Sequence, residues 1–208
     1  MSASDLDRLL KNIRACKLCA DKPTGAPLPH EPRPVIQAAR SARLCICGQA
    51  PGTRVHQTGI PFNDPSGDRL RDWMGIDREA FYDADRLAIV PMGFCFPGQD
   101  ARGGDLPPRR ECRAAWHDGV FDALPNLELI LVIGQYAKAY HLPDLKKASL
   151  TETVRTGSDI LNSSRRPRVL PLPHPSWRNN TWLKRNPWFE SDILPILRSE
   201  VAALMQSV

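Results

Sequence analysis

A chain of 208 residues is long enough for one domain with a substantial core, and 42% hydrophobic with 25% charged residues is ordinary for a soluble globular protein. No apolar run reaches membrane-spanning length, and no basic start followed by an apolar stretch marks a signal peptide. The net charge of +5 favours polyanionic partners. We therefore expect a cytoplasmic protein, whose cysteines are thiols or metal ligands rather than disulfides.

Strand and helix patterns alternate along the chain. Short apolar runs predict strands at residues 43–48, 86–92, 127–133 and 168–172. Amphipathic spacing predicts helices at residues 5–15, 70–74, 110–124, 136–141 and 188–205. Residues 21–34 and 93–109 are rich in proline or glycine and are expected to be loops. Four strands that alternate with helices predict a parallel sheet with helices on both faces.

The connector after the first predicted strand carries most of the chemistry. It begins with Gly-Gln-Ala-Pro-Gly at residues 48–52 and ends at the helical pattern near Leu70, for which Ser66 or Asp68 is the expected cap. A strand, a long loop and a helix form ligand sites beyond the carboxyl ends of strands in open α/β sheets. The side chains that could serve such a site are Gln49, Phe62, Asp64 and Asp68. His56 has no evident partner and is expected at the surface.

A histidine follows the fourth predicted strand, in His174-Pro-Ser176. Alone, it is most simply a loop residue. In a parallel sheet, however, this strand ends at the same edge as the connector, so His174 and Asp64 could face one pocket. A histidine donor and a carboxylate across a cleft suit charge stabilisation of a reacting ligand. Asp64 as a turn residue and Asp68 as a helix N-terminal carboxylate are the structural alternatives.

Aromatic, cationic and amide side chains are interleaved at residues 177–185. Such a pattern suits contacts with nucleic-acid bases and backbone. The alternative is a solvated basic face whose tryptophans belong to the core.

The six cysteines fall into two groups. Cys45 and Cys47 alternate with apolar residues in a strand pattern, where a free thiol packs as a small hydrophobe. The others adjoin loops or helix ends; they are Cys16, Cys19, Cys95 and Cys112. Four thiolates suit a [4Fe–4S] cluster or a structural zinc, and spacing alone does not separate the two. The CxxC pair formed by Cys16 and Cys19 also leaves a redox pair open.

Together these motifs resemble the uracil-DNA glycosylase superfamily. The resemblance rests on residues 48–52, on Thr-Gly-Ile-Pro-Phe at residues 58–62, and on His174-Pro-Ser176. The four loop cysteines are similar, in order and approximate spacing, to the [4Fe–4S] ligands of the bacterial and archaeal family-four and family-five enzymes. The likeness covers about residues 10–189 and favours the iron–sulfur cluster over zinc. It implies an α/β/α sandwich with a central four-stranded parallel sheet, here as one domain over residues 1–208.

The resemblance also implies a reaction, hydrolysis of the N-glycosidic bond of uracil in DNA during base excision repair, with hypoxanthine and xanthine as further candidate bases. Phe62 would stack on the flipped base and His174 would donate a hydrogen bond to it. Asp64 would stabilise the sugar cation and orient water, with Asp68 in reserve. Gln49, Ala50 and Asn63 complete the expected base-binding set.

The expected partner is uracil-containing DNA, single- or double-stranded, bound by a monomer with no membrane contact. Serine hydroxyls and arginine guanidinium groups are the expected phosphate ligands. These DNA contacts are Ser66, Ser176, Arg178 and Arg109.

Two positions differ from the family-four pattern. Gln49 stands where those enzymes usually carry Glu, and Val90-Pro-Met92 replaces a segment with the Asn that reads the uracil edge. Residues 62–68 are instead similar to the family-five motif. These differences leave open a protein that binds uracil-containing DNA without excising the base or that traps it, although residues 98–110 lack the histidine that a related trapping protein uses. An iron–sulfur electron-transfer module and a zinc-stabilised domain are the remaining alternatives.

Overall fold

Four parallel strands form the centre of the molecule, in the order β2-β1-β3-β4. Their bounds are Leu44–Cys47 (β1), Leu87–Ile89 (β2), Leu129–Ile133 (β3) and Arg168–Leu172 (β4). This arrangement confirms the predicted parallel four-stranded sheet. The computed structural model describes residues 3–206, so the expected domain bounds, 1–208, extend past the described residues at both ends.

The strands are buried on both faces, which explains their continuous apolar sequences. Leu44 and Ile46 of β1 belong to one core, and Cys45 and Cys47 to the other. Both thiols are fully buried, and their Sγ atoms lie 3.6 Å apart, which confirms that these two cysteines are packing residues. The sheet therefore separates two hydrophobic cores, one under each layer of helices.

Twelve α-helical segments lie within residues 3–206. In chain order they are Ala3–Arg14 (α1), Leu18–Asp21 (α2), Thr53–Thr58 (α3), Pro65–Met74 (α4), Arg78–Tyr82 (α5), Arg110–Cys112 (α6), Asp118–Asp122 (α7), Gly134–His141 (α8), Leu150–Arg155 (α9), Gly157–Leu161 (α10), Asn180–Arg185 (α11) and Leu194–Met205 (α12). Short 3₁₀ turns occur at Pro143–Leu145 and Trp177–Asn179. Leu6, Leu10 and Ile13 of α1 face one core, while Leu70 and Trp73 of α4 face the other.

Two predicted helices contain π-helical turns. Arg113–His117 joins α6 to α7, and Phe189–Ile193 precedes α12. The first of these turns buries His117 completely, and its Nε2 lies 3.0 Å from the carbonyl oxygen of Pro91. The wider turn thus attaches this helix to the segment that follows β2.

Two predicted boundaries are wrong for identifiable reasons. Helix α4 begins at Pro65 rather than near Leu70, because Asp64 is its cap and proline is favourable in the first turn. Neither Ser66 nor Asp68 is the cap. Strand β2 ends at Ile89 rather than at residue 92, and Pro91 interrupts the regular strand because it has no N–H. The N–H groups of Val90 and Met92 still donate to the carbonyl oxygens of Ile46 and Gly48, so this segment stays beside β1.

Candidate active site

A pocket of about 450 Å³ opens at the carboxyl edge of the sheet. Its walls come from residues 48–52 after β1, Pro91 after β2 and His174 after β4. The volume lies within the range of ligand sites in enzymes, and this edge is where open α/β sheets place them. The predicted meeting of the connector and the His174 segment therefore occurs.

Phe62 is held in the pocket by a tight turn. Its φ angle is +51°, in the left-handed region that few non-glycine residues adopt. A Cβ atom on Gly67 would lie 1.8 Å from the carbonyl oxygen of Phe62, so only glycine fits at that position. The Phe62 ring also reaches Gly48, where an added Cβ atom would be 3.6 Å from Phe62 Cζ. This geometry places the aromatic ring beside residues 48–52.

Asp64 has a structural role and also lines the pocket. Its Oδ1 accepts a hydrogen bond from the N–H of Gly67 at 2.9 Å, which caps α4. Asp68 lies outside the pocket lining: its exposed carboxylate accepts a bond from Arg71 Nη2 at 2.6 Å. The structure thus brings Asp64, and not Asp68, into the pocket.

His174 faces the same cavity in a defined hydrogen-bonding state. The N–H of Ser176 donates to its Nδ1 at 3.2 Å, and Asn179 Nδ2 donates to its carbonyl oxygen at 2.7 Å. Burial lowers the pKa of His174 from its ordinary value, although the carboxylates of Asp64 and Asp105 oppose the shift. Burial therefore favours the neutral form of the ring. Because Nδ1 accepts a hydrogen bond, Nε2 carries the proton and can donate to a ligand.

Gln49 holds the pocket wall together. Its Nε2 donates to the carbonyl oxygen of Leu106 at 3.0 Å, and its own carbonyl accepts the N–H of Gly93 at 3.0 Å. Ala50 lines the pocket beside it. The loop after β1 is therefore fastened to the long loop after β2.

A family model described as the uracil DNA glycosylase superfamily matches residues 36–198, which is more than half of the chain. The chain belongs to this superfamily. The matched residues include the loops after β1, β2 and β4 that form the pocket. Membership indicates a DNA glycosylase, a hydrolase of DNA repair. Cys16 and Cys19 precede the matched residues. No helix within residues 3–206 has the length and apolar character needed to cross a membrane.

The expected DNA contacts of this glycosylase separate into two groups. Ser66, Ser176 and Arg178 line the pocket, and Arg178 Nη2 donates to the carbonyl oxygen of Gly103 at 2.9 Å. Arg109 instead forms an ion pair with Glu111 at 2.7 Å, with side-chain exposures of only 16% and 8%. Asn63, expected at the base, lies outside the pocket lining and accepts a bond from Arg78 at 3.2 Å.

Four polar or aromatic residues of the pocket lining are not among the site residues that the sequence predicts. Trp177 belongs to the predicted basic segment, and it is 70% exposed at the pocket. Thr53, Gln99 and Asp105 also line the cavity. No short-range pattern marks Gln99 or Asp105, because they belong to a loop without helical or strand periodicity.

His56 is not the isolated surface residue that the sequence predicted. Its ring centroid lies 4.2 Å from that of His30 and 5.9 Å from that of Phe96. Burial lowers the pKa of His56, and the neighbouring His30 and Arg33 add to the shift. This cluster packs α3 against the proline-rich segment that precedes β1.

The four loop cysteines gather from three separate parts of the chain. Hydrogen bonding to the Cys112 thiol lowers the pKa of Cys19 to about 7. Burial raises the pKa of Cys95 to about 12, and the nearby thiols of Cys19 and Cys16 add to this shift. Within the described residues, no group of three or more His, Cys, Asp or Glu side chains has the arrangement of a site for a single metal ion.

One ion pair, between Arg109 and Glu111, lies near Cys19. Glu111 Oε1 accepts the N–H of Thr24 at 2.9 Å and a bond from Arg109, which also donates to the carbonyl oxygen of Ala26 at 2.7 Å. Although partial burial opposes it, these hydrogen bonds lower the pKa of Glu111 to about 2. These bonds fasten the N-terminal segment to α6.

Proposed function

We propose that this protein hydrolyses the N-glycosidic bond of uracil in DNA, with hypoxanthine and xanthine as further candidate bases. The observation that carries the proposal is that His174, whose Nδ1 accepts a hydrogen bond from Ser176, lines one pocket together with Asp64 and the ring of Phe62. This set supplies a hydrogen-bond donor for a leaving base, a carboxylate for the sugar and a stacking surface.

The target base must leave the helix to enter such a pocket. Unstacking costs a few kcal/mol, and least for a mispaired base, which favours deaminated bases over normal ones. Phe62 stacks on the flipped base. Its strained φ angle and its contact with Gly67 hold the ring in place before the base arrives. The conformational entropy of this turn is therefore lost when the protein folds and not when DNA binds.

Bond cleavage moves negative charge onto the base. His174 Nε2–H donates to the base oxygen that gains this charge, and the Ser176 N–H keeps the ring in the required tautomer. Backbone N–H groups of Gln49 and Ala50, on the adjacent wall, are the second donors. Preorganised donors of this kind are typically worth about 3–4 kcal/mol each at the transition state.

The sugar becomes positively charged as the base leaves, as in glycoside hydrolysis. The Gly67 N–H holds Asp64 Oδ1, which leaves Oδ2 to face the cation and to orient water. The products are the free base and an abasic site. The protein acts as a monomer in the cytoplasm on single- or double-stranded DNA, and a mass measurement in solution with and without an oligonucleotide tests the monomer.

Incubation with labelled oligonucleotides that contain uracil, hypoxanthine or xanthine, followed by alkaline cleavage, tests the reaction. We expect the wild type to cleave, and Asp64→Asn and His174→Gln each to lose about 10² or more in rate. Asp7→Asn removes an equal charge from an exposed position on α1 and is expected to cleave normally. Cleavage unaffected by either pocket variant would contradict the assigned residues.

A protein that binds uracil-containing DNA without excision is the second candidate. The observation that favours it is that the lining residues at and after β2, Ile89 and Pro91, carry no side-chain amide to read the uracil edge. Tight binding of uracil-containing DNA without any abasic product would establish this alternative and rule out the enzyme.

We also propose a [4Fe–4S] cluster held by Cys16, Cys19, Cys95 and Cys112. The support is that these thiols influence one another although they come from the segment at and just before α2, the loop after β2, and α6. Four thiolates from Cys16, Cys19, Cys95 and Cys112 would hold such a cluster. Its role would be structural, because these cysteines belong to the N-terminal segment, the loop after β2 and α6.

Metal analysis of anaerobically purified protein tests the cluster. We expect equal amounts of iron and acid-labile sulfide, four of each per chain, and their loss in Cys16→Ser or Cys95→Ser. Cys45→Ala, which changes a thiol inside the sheet, is the matched control and keeps its iron. Zinc in place of iron would contradict the proposal.

A further inference from the structure

The loop after β2 contains a small hairpin that is folded around its own side chains. Gln99 and Asp105 form an antiparallel bridge, and Asp100 Oδ1 accepts the N–H groups of Arg102 at 2.8 Å and of Gly104 at 2.9 Å. Glycine at 103 has a φ angle of +73°, as such a tight turn requires. We call residues 98–106 the rim hairpin.

Two pocket segments hold the rim hairpin in place, namely the loop at residues 48–52 and the segment after His174. On one side, Gln49 donates to the carbonyl oxygen of Leu106 at 3.0 Å. On the other side, Arg178 donates to the carbonyl oxygen of Gly103 at 2.9 Å. The hairpin is therefore a third wall of the pocket, fixed to the loop after β1 and to the segment after His174.

The rim hairpin presents one carboxylate to the cavity. Asp105 lines the pocket, and its Oδ1 accepts a bond from Gln99 Nε2 at 3.2 Å. Its Oδ2 would lie 3.7 Å from a Cβ atom on Gly52, at the end of the first motif. Its charge acts on His174 in the same direction as that of Asp64. Asp105 is exposed, whereas Phe62 and His174 are half-buried, so Asp105 stands at the mouth and they lie deeper.

We propose that Asp105 is a second carboxylate of the active site, which stabilises positive charge on the sugar of the bound nucleotide. The inference rests on the proposed glycosylase function and deepens it. A flipped base enters first and reaches Phe62 and His174, so the sugar stays near the mouth beside Asp105. A negative charge is unfavourable beside a departing anionic base but favourable beside an oxocarbenium-like sugar. The carboxylate at the mouth therefore belongs to the sugar side of the reaction.

Binding of two abasic analogues tests this role separately from catalysis. One oligonucleotide carries a cationic pyrrolidine in place of the sugar, and the other carries a neutral tetrahydrofuran. We expect the wild type to bind the cationic analogue more tightly, and Asp105→Asn to lose at least tenfold of that preference while it binds the neutral analogue normally. Asp7→Asn, with the same change of net charge, keeps the preference. Fluorescence anisotropy at one fixed salt concentration measures all of these affinities.

Three outcomes complete the test. If Asp105→Asn keeps the full preference for the cationic analogue while Asp64→Asn loses it, the proposal is refuted and Asp64 is the sole carboxylate at the sugar. The proposal is also refuted if the wild type excises the base but binds the cationic and neutral analogues equally well. A preference that depends on Asp105 in a wild type that excises no base would support the carboxylate and refute the glycosylase. Unchanged binding of the neutral analogue reports intact folding, and Asp105→Ser serves as a second variant if Asn perturbs the hairpin.

Discussion

Replacement of Gly67 by alanine tests the tight turn that supports both Phe62 and Asp64. The added Cβ would lie 1.8 Å from the carbonyl oxygen of Phe62 and 2.8 Å from its Cβ. Contacts below 3.0 Å do not persist, so the turn must shift by more than 1 Å. The same shift weakens the hydrogen bond from the Gly67 N–H to Asp64 Oδ1, now 2.9 Å.

Three contributions, two unfavourable and one favourable, set the size of the effect. Overpacking costs about 1–3 kcal/mol and a lost cap costs about 1 kcal/mol, while alanine gains up to about 1 kcal/mol in helix propensity. A net loss of about 2 kcal/mol lowers the melting temperature by about 4–8 °C in a chain of this length. Because misplacement by about 1 Å costs about 10² in rate, excision at 25 °C should fall at least that far.

Gly119→Ala is the matched control. Gly119 lies within α7, and an added Cβ there would meet only Leu9 Cδ2, at 3.8 Å, an ordinary contact. This variant should gain about 0.5–1 kcal/mol and excise normally. Calorimetry and the oligonucleotide assay measure both variants. A Gly67→Ala protein that melts and excises like the wild type would show that Phe62 does not depend on the close approach at residue 67.

Further predictions concern charge and loop attachment. Burial lowers the pKa of His141 to about 4, so its contribution to stability is complete above about pH 6.5 and is lost as the pH falls through 4. In urea titrations, the free energy of unfolding of His141→Phe should therefore fall by up to about 3 kcal/mol less than that of the wild type on acidification. Arg109→Gln removes the ion-pair partner of Glu111 and should cost about 3–5 kcal/mol of stability. The salt dependence of DNA affinity should not change. If the slope of log affinity against log salt concentration falls by about one, Arg109 contacts a phosphate instead. Gln49→Leu removes the hydrogen bond to the carbonyl oxygen of Leu106. It should lower the excision rate about tenfold and speed amide hydrogen exchange across residues 98–106. Unchanged exchange there would contradict the idea that Gln49 holds the rim hairpin.

The sheet could be predicted because its strands are buried on both faces. Two-sided burial produces the continuous apolar runs at Leu44–Cys47 and Leu129–Ile133, which are visible without knowledge of their neighbours. The short helices α3, α5 and α9 to α11 span six residues or fewer, too few to show a helical period. The sequence predicts helix α4 with a start near Leu70 rather than at Pro65. Its cap, Asp64, lies in a turn whose geometry depends on the contact between Phe62 and Gly67.

The pocket could be predicted in part for a similar reason. Asp64 and His174 follow predicted strands, and parallel strands end at one edge, so topology alone brings them together. Asp105 could not be placed, because its position depends on bonds from Gln49 and Arg178 to backbone carbonyls of the rim hairpin. Every residue has a carbonyl, so no sequence pattern marks such a contact.

The polar groups of this pocket are positioned before any DNA arrives, largely by backbone atoms. The Ser176 N–H fixes the tautomer of His174, the Gly67 N–H fixes Asp64, and the carbonyl of Leu106 engages Gln49. Preorganised groups need no reorganisation at the transition state, which is where their advantage over water arises. Because backbone donors survive most side-chain substitutions, loss of function should follow from changes that move the backbone. Gly67 does not line the pocket, yet its replacement should be as damaging as the loss of a reacting side chain.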